Sequence, residues 1–160
     1  MENKIIIKNR SKGFSLVEAL IGASIIVLTL TALSSAFAIL AKSGRSSISS
    51  VKASYLLNEG AEAILMVAKE DWTFIEGLTV GSTYGLEWKS NTWYSTTTTS
   101  VDNIYYRQFV VSGLYRDSNS DIASSGTLDS EGRKVDVGVS WYNGSATSTK
   151  DLSFYVFKDE

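Results

Sequence analysis

Side chains suited to chemistry are scarce in this sequence, and the gaps exclude most catalytic classes. Among 160 residues there is no Cys and no His. That removes thiolate nucleophiles, disulfide scaffolds, imidazole acid/base machinery and nearly every zinc site. No Gly-x-Ser-x-Gly elbow occurs, so the usual hydrolase arrangement is missing as well. Carboxylates alone can serve a glycosidase, but no pair stands out among the 17 Asp and Glu. Two acidic features remain. The run Asp117-Ser118-Asn119-Ser120-Asp121 matches the opening of a calcium loop, in which alternate oxygen ligands suit a hard cation. Ile122 stands where the sharp turn wants Gly, and Leu128 where the bidentate carboxylate belongs, with Asp129 adjacent. A solvated turn is therefore the favoured reading, and Asp117, Asn119 and Asp121 are a weak calcium candidate. The second feature is Glu18, at the threshold of a long apolar run.

Glu18 makes sense only with the element that carries it. The uncharged run Ala19 to Ala41 has 23 residues, and a transmembrane helix needs about 20. Leu20, Ile21, Ile25, Ile26, Val27 and Leu28 open its apolar bulk, while Gly22, Ala23, Ser24 and Ala32 are the small residues that let helices approach in lipid. Before it, Lys4, Lys8, Arg10 and Lys12 against Glu2 give residues 1–13 a net charge of +3. The remainder carries 11 Lys/Arg against 16 Asp/Glu, a net −5. A basic start on an acidic body reads as an addressed N-terminus rather than a nucleic-acid binder. The positive-inside rule keeps the leader cytoplasmic, although Lys42, Arg45 and Lys52 beyond the run weaken the asymmetry. Ala36-Phe37-Ala38 offers a small-x-small site, but the apolar region is too long for a secretory signal. A plain signal anchor explains the length and leaves Glu18 unaccounted for, unless it snorkels to the headgroups.

Lys12-Gly13-Phe14-Ser15-Leu16-Val17-Glu18-Ala19-Leu20-Ile21 resembles the processing signature of type IV prepilins and pseudopilins. The shared parts are a short basic leader, a Gly-Phe junction, a glutamate on the fifth residue counted from the phenylalanine, and a membrane-length helix. The resemblance covers residues 8 to about 41, roughly a quarter of the chain. It implies that a prepilin peptidase cuts after Gly13 and methylates the new amino group of Phe14. A residue without a side chain lets a protease approach the backbone. It further implies that Glu18 pairs with the N-terminal amine of a neighbouring subunit, an attraction strengthened by low dielectric. There is no Pro anywhere in the chain, whereas major pilins carry one in the apolar helix near the place of Ser34 or Ser35. That departure, and the wording Ser-Leu-Val-Glu-Ala-Leu, look more like minor pilins of the modification-protein type.

The helical pattern continues beyond the apolar run. Ile48, Val51, Tyr55, Leu57, Ala61, Ile64, Leu65 and Ala68 recur at three- and four-residue steps, and Lys52, Glu59, Glu62, Lys69 and Glu70 fall mainly elsewhere. A core face is the reading adopted. Helix from Phe14 to about Asp71 would span roughly 87 Å at 1.5 Å per residue. Gly22, Gly44 and Gly60 are its weak points, with a bend expected at Gly44, beside Ser43, Ser46 and Ser47.

From Trp72 onward Trp, Tyr, Thr, Val and Gly dominate, so strands and turns are expected. Predicted strands are Thr83 to Lys89, Thr92 to Thr98, Ile104 to Tyr115, the alternating Val135-Val137-Val139-Trp141 run, and the run around Leu152, Phe154 and Val156. Asn143-Gly144 lies in the last turn. The Thr96 to Thr99 run reads as a solvated loop or edge, open to glycosylation if outside the cell. Trp88, Trp93 and Tyr94 read as loop packing.

Together these give an α+β fold: a long N-terminal helix on a meander of three or four antiparallel strands. Residues 1–13 are the removed leader, 14–41 the membrane or filament-core helix, 42–71 the amphipathic helix and 72–160 a β-rich head. The resemblance implies a structural, non-enzymatic subunit of a type IV pilus-like filament or a secretion-type pseudopilus. Its partners would be prepilin peptidase, other pilin subunits and the membrane, without nucleic acid and without a required cofactor. It would be a single-pass cytoplasmic-membrane protein with its head outside, extracellular once assembled. The alternative is a singly anchored extracytoplasmic binding domain.

Overall fold

The computed structural model describes residues 13, 15–97 and 99–159. Two compact units divide between Gly44 and Arg45. Helix α1 runs from Leu16 to Glu70, 55 residues, and every one of them is helical, including Gly22, Gly44 and Gly60. Without Pro, no residue in this stretch lacks the amide that the helical ladder needs.

In the first unit, the described side chains are almost all exposed. The second unit contains a core. On α1, Ala53, Leu57, Gly60, Ala61, Ile64, Val67 and Ala68 are buried, following the three- and four-residue spacing of one helix face. Ala53, Gly60, Ala61 and Ala68 are small, and closeness is the reason. A Cβ built at Gly60 would lie 3.1 Å from Arg107 Cδ and 3.2 Å from Val137 Cγ1, so Gly60 is a packing requirement rather than a weak point.

Ile48, Val51 and Tyr55 do not share that face: they are 71%, 55% and 72% exposed. At about 100° per residue, Tyr55 lies roughly 200° round the helix from Ala53. The sequence spacing therefore merged two stripes of opposite phase. Leu65, 47% exposed, falls off the core face as well.

After α1, Asp71 caps a five-residue helix, α2 (Trp72–Glu76), its Oδ1 accepting from the Thr73 amide at 3.0 Å. This satisfies an orphan donor of the first turn. The head thus starts with a helical turn that buries Trp72 and Ile75, not with a strand.

Among the described residues seven antiparallel strands follow: β1 (Thr83–Lys89), β2 (Thr92–Thr96), β3 (Ser100–Val101), β4 (Tyr105–Arg116), β5 (Ile122–Ala123), β6 (Thr127–Tyr142) and β7 (Thr147–Phe157). The main order is β2-β1-β4-β6-β7, with β3 and β5 each pairing with β4. The expected meander is present as β4-β6-β7. The sheet is wider because the β1–β2 hairpin joins β4 through Thr83↔Val110 and Tyr84↔Phe109. Ser90 and Asn91, at φ 50° and 64°, supply the two left-handed residues of a tight hairpin turn. On the core face, Phe109, Val111, Val135, Val137 and Val139 are 0–1% exposed, and they join the buried residues of α1 and α2 in one cluster.

Candidate functional site: the N-terminal helix

Gly13, expected before the processing site, is exposed, and a Cβ added there would meet nothing within 4 Å. Phe14 and the leader residues 1–12 lie outside the described residues. The Ala19 amide donates to the Ser15 carbonyl at 3.0 Å, so α1 is hydrogen-bonded from its first turn. Glu18 lies in that turn and is exposed. A carboxylate there faces the unpaired amides and positive end of the helix dipole. Gly13 and Glu18 are therefore an accessible glycine and an accessible acid.

Beyond Glu18, α1 is long and apolar enough to cross a membrane: an 18-residue window has a mean hydropathy of 2.2, none of it buried. Ser24, Thr29, Thr31 and Ser35 close their hydroxyls off within the helix. Ser24 Oγ donates to Leu20 O at 2.8 Å, Thr29 to Ile26 O at 2.9 Å, Thr31 to Val27 O at 3.0 Å and Ser35 to Thr31 O at 2.9 Å. In hydrocarbon an unsatisfied hydroxyl costs several kcal/mol. Serine and threonine are thus compatible with lipid here, which the residue types alone do not reveal.

In the second unit, Ile48, Val51 and Tyr55 form an exposed apolar stripe that, with Ser47 and Lys52, lines a groove of about 370 Å³. Lys52 is held by Asp102 at 2.8 Å and lies 5.4 Å from the Tyr105 ring centroid. Hydrogen bonding to Asp102 raises the Lys52 pKa above its ordinary value.

The calcium candidate is closed by its own hydrogen bonds. Asp117 Oδ1 accepts from the amides of Asn119 at 2.8 Å and Asp121 at 3.0 Å, and the Asp117 amide donates to Asp121 O at 2.9 Å. Arg116 clamps the same turn, with Nη1 on Ser120 O at 2.8 Å and Nε on Asp129 Oδ2 at 2.6 Å. The Arg116 hydrogen bond holds the Asp129 carboxyl below its ordinary value, helped by the Glu131 amide. Among the described residues, no three His, Cys, Asp or Glu are grouped to hold a metal ion.

Arg107 was not legible in the sequence. It is 5% exposed in the core, donating from Nη1 to Glu59 Oε2 at 2.7 Å and from Nη2 to Leu86 O at 3.4 Å. Its guanidinium lies 5.4 Å from the Trp93 ring centroid. One cation thus ties α1, β1 and the β1–β2 hairpin together. Its only sequence signal was a charge in an alternating strand at a core-facing position. Trp93 packs against the core as expected of loop packing, whereas Trp88 and Tyr94 are exposed.

No family model, no curated protein and no solved structure matches this chain.

Proposed function

We propose that this chain is a structural, non-enzymatic subunit of a type IV pilus-like filament or secretion-type pseudopilus, of the minor-pilin kind. A prepilin peptidase cuts it after Gly13 and methylates Phe14. The observation that carries the reading is α1, whose membrane-length apolar part is exposed and opens with an acid in its first turn, while its later turns carry the core of an antiparallel head. A buried unpaired carboxylate is penalised, so pairing Glu18 with the amine of a neighbouring Phe14 rewards correct register. The Ile48-Val51-Tyr55 stripe adds exposed apolar surface for neighbouring subunits. The leader stays cytoplasmic and the head lies outside.

Intact mass of the protein, made with and without prepilin peptidase, tests this reading. Loss of residues 1–13 plus one methyl group on Phe14, only with the peptidase, is the expected result. A retained leader in both samples overturns it and leaves a singly anchored extracytoplasmic domain.

A further inference from the structure

The β4-β6-β7 sheet has a second face, turned away from α1, and it carries a cleft unrelated to the helix. Three residues stand side by side across its floor, because register pairs Ser112 of β4 with Lys134 of β6, and Lys134 with Tyr155 of β7. Paired residues on adjacent antiparallel strands have Cβ atoms about 5 Å apart. A hydroxyl, an ammonium and a phenol therefore form a row.

The wall arises from a register break. Gly113 pairs with Arg133 but Leu114 pairs with Asp129, so β6 slips between them. Up to Val111, odd-numbered residues of β4 face the core; after the break Leu114 is buried at 2% exposure and Tyr115 lines the outer cleft. Bulges re-aim side chains in this way. Gly113 leaves the room: a Cβ there would sit 2.9 Å from Leu128 Cδ1 and 3.6 Å from the Tyr115 ring. Strand β5 folds back on β4 through Tyr115↔Ala123 and Arg116↔Ile122, bringing Ile122 and Ser124 to the rim. The Asp117 turn and the Arg116 clamp hold it there. The enclosed space is about 430 Å³, within the roughly 300–1,000 Å³ of small-molecule sites.

Lys134 Nζ donates to Asp136 at 3.0 Å, and that hydrogen bond raises its pKa. It is thus a proton holder, not a base for Ser112. A lysine has three N–H donors, so Lys134 has donor capacity for a ligand beside Asp136, and Asp136 neutralises its charge, which removes the preference for an anion. A purely apolar guest would desolvate Ser112, Ser124 and Lys134 without replacing their hydrogen bonds, at a cost.

We propose that this cleft binds a neutral hexopyranose, alone or as the end of a glycan. The apolar C–H face of the sugar lies on Tyr115 and Tyr155, amphipathic rings suited to such contact, and its hydroxyls meet Ser112, Ser124 and Lys134. Because β5 is already held in place, little ordering remains to oppose binding. The proposal does not depend on filament assembly.

Saturation-transfer NMR on the full chain in lipid nanodiscs tests it, with methyl α-mannopyranoside, methyl β-galactopyranoside and N-acetylglucosamine as probes. Glycoside detergents are left out because they would compete. Transfer to the ring protons of at least one probe is expected, together with at least about a tenfold loss of affinity in Tyr115→Ala/Tyr155→Ala. Trp88→Ala, an exposed aromatic on the other hairpin, should bind as the native chain does. Should the double variant unfold, Ser112→Leu fills the floor and must abolish transfer at an unchanged Tm. The proposal is overturned by no transfer to any probe, by binding that survives either folded cleft variant, or by loss of binding in Trp88→Ala.

Discussion

Residues 16–44 and 45–70 belong to the same helix, yet different surroundings dictate their sequences. In the first stretch Leu16, Leu20, Leu28, Leu33 and Phe37 are 66–85% exposed, and Ser24, Thr29, Thr31 and Ser35 bond back to helix carbonyls. In the second, Ala53, Ile64 and Ala68 are 0–4% exposed, and an alanine- and glycine-rich face lies against valines of the sheet. Ala53, Leu57, Ile64 and Ala68 of the second stretch find their partners in this chain, whereas Ile48, Val51 and Tyr55 stay exposed. The apolar residues of the first lie exposed along a helix long and apolar enough to cross a membrane, and a contiguous apolar surface this large is not left to water. The difference separates what holds the head together from what the protein attaches to.

The largest break in the comparison concerns Glu18. Under the proposed function, Glu18→Ala leaves a neighbour's amine uncompensated in low dielectric, a loss of about 3 kcal/mol or more. Filament incorporation, read by immunoblot of sheared fractions, should fall on the order of 100-fold, while leader cleavage and the Tm of the head stay as they were. Cleaved protein that assembles fully would sink the Glu18 role. Gly13 changed to a bulky residue should leave uncut precursor.

Stability should show the opposite bias. Ile64→Ala empties a fully buried site and should cost about 2–5 kcal/mol in denaturant unfolding of the head. Ile26→Ala, at a site 59% exposed, should stay within about 0.5 kcal/mol. Equal losses would mean that the two stretches share one core. Arg107 sharpens the point. Glu59→Ala leaves Arg107 with only Leu86 O, Leu56 O and the Trp93 ring and should cost about 1–3 kcal/mol, whereas Arg107→Met removes the charge itself and should cost less.

The two glycines should then differ in sign. Gly60→Ala gains up to about 1 kcal/mol of helix propensity but pushes a methyl against Val137 Cγ1 at 3.2 Å, where overpacking costs about 1–3 kcal/mol. A net loss of about 1 kcal/mol is expected for the head. Gly22→Ala has nothing within 4 Å and keeps only the propensity gain.

Sequence made the helix, its apolar first part and the strands β1, β4 and β7 legible, because propensity, period and run length agree there. Phase was harder. Ile48-Val51-Tyr55 and Leu57-Ala61-Ile64 recur by the same three- and four-residue steps on opposite sides of the helix, and only the packed sheet shows which stripe is buried. Arg107 and the outer cleft were invisible for another reason. Both depend on which residues stand opposite each other across strands, and a three-residue slip in β6 is not written in either strand alone. The Asp117 run has the oxygens of a calcium loop, but its work is local: it turns the chain so that β5 can wall the cleft.

That local work can be measured, and it gives the smallest expected effect. Asp129 joins the Arg116 clamp and accepts from the Glu131 amide at 2.9 Å, so its carboxyl titrates below its ordinary 3.8. A group with a lowered folded pKa stabilises the head above its unfolded pKa, and that stability is lost as pH falls through the folded one. Thermal melts from pH 7 to pH 2 should therefore show Tm falling below about pH 4. Asp129→Asn should start lower at pH 7 and fall less steeply in the acid range, while Ile26→Ala, in the first stretch of α1, should follow the native profile. An Asp129→Asn profile parallel to the native one would show that the clamp holds through geometry alone. The turn would then stand without the charge, and the acid sensitivity of the head would have to come from elsewhere, with Asp136 next. Burial raises the Asp136 pKa, but hydrogen bonds from Ser153 and Lys134 outweigh it and leave that carboxyl lowered as well.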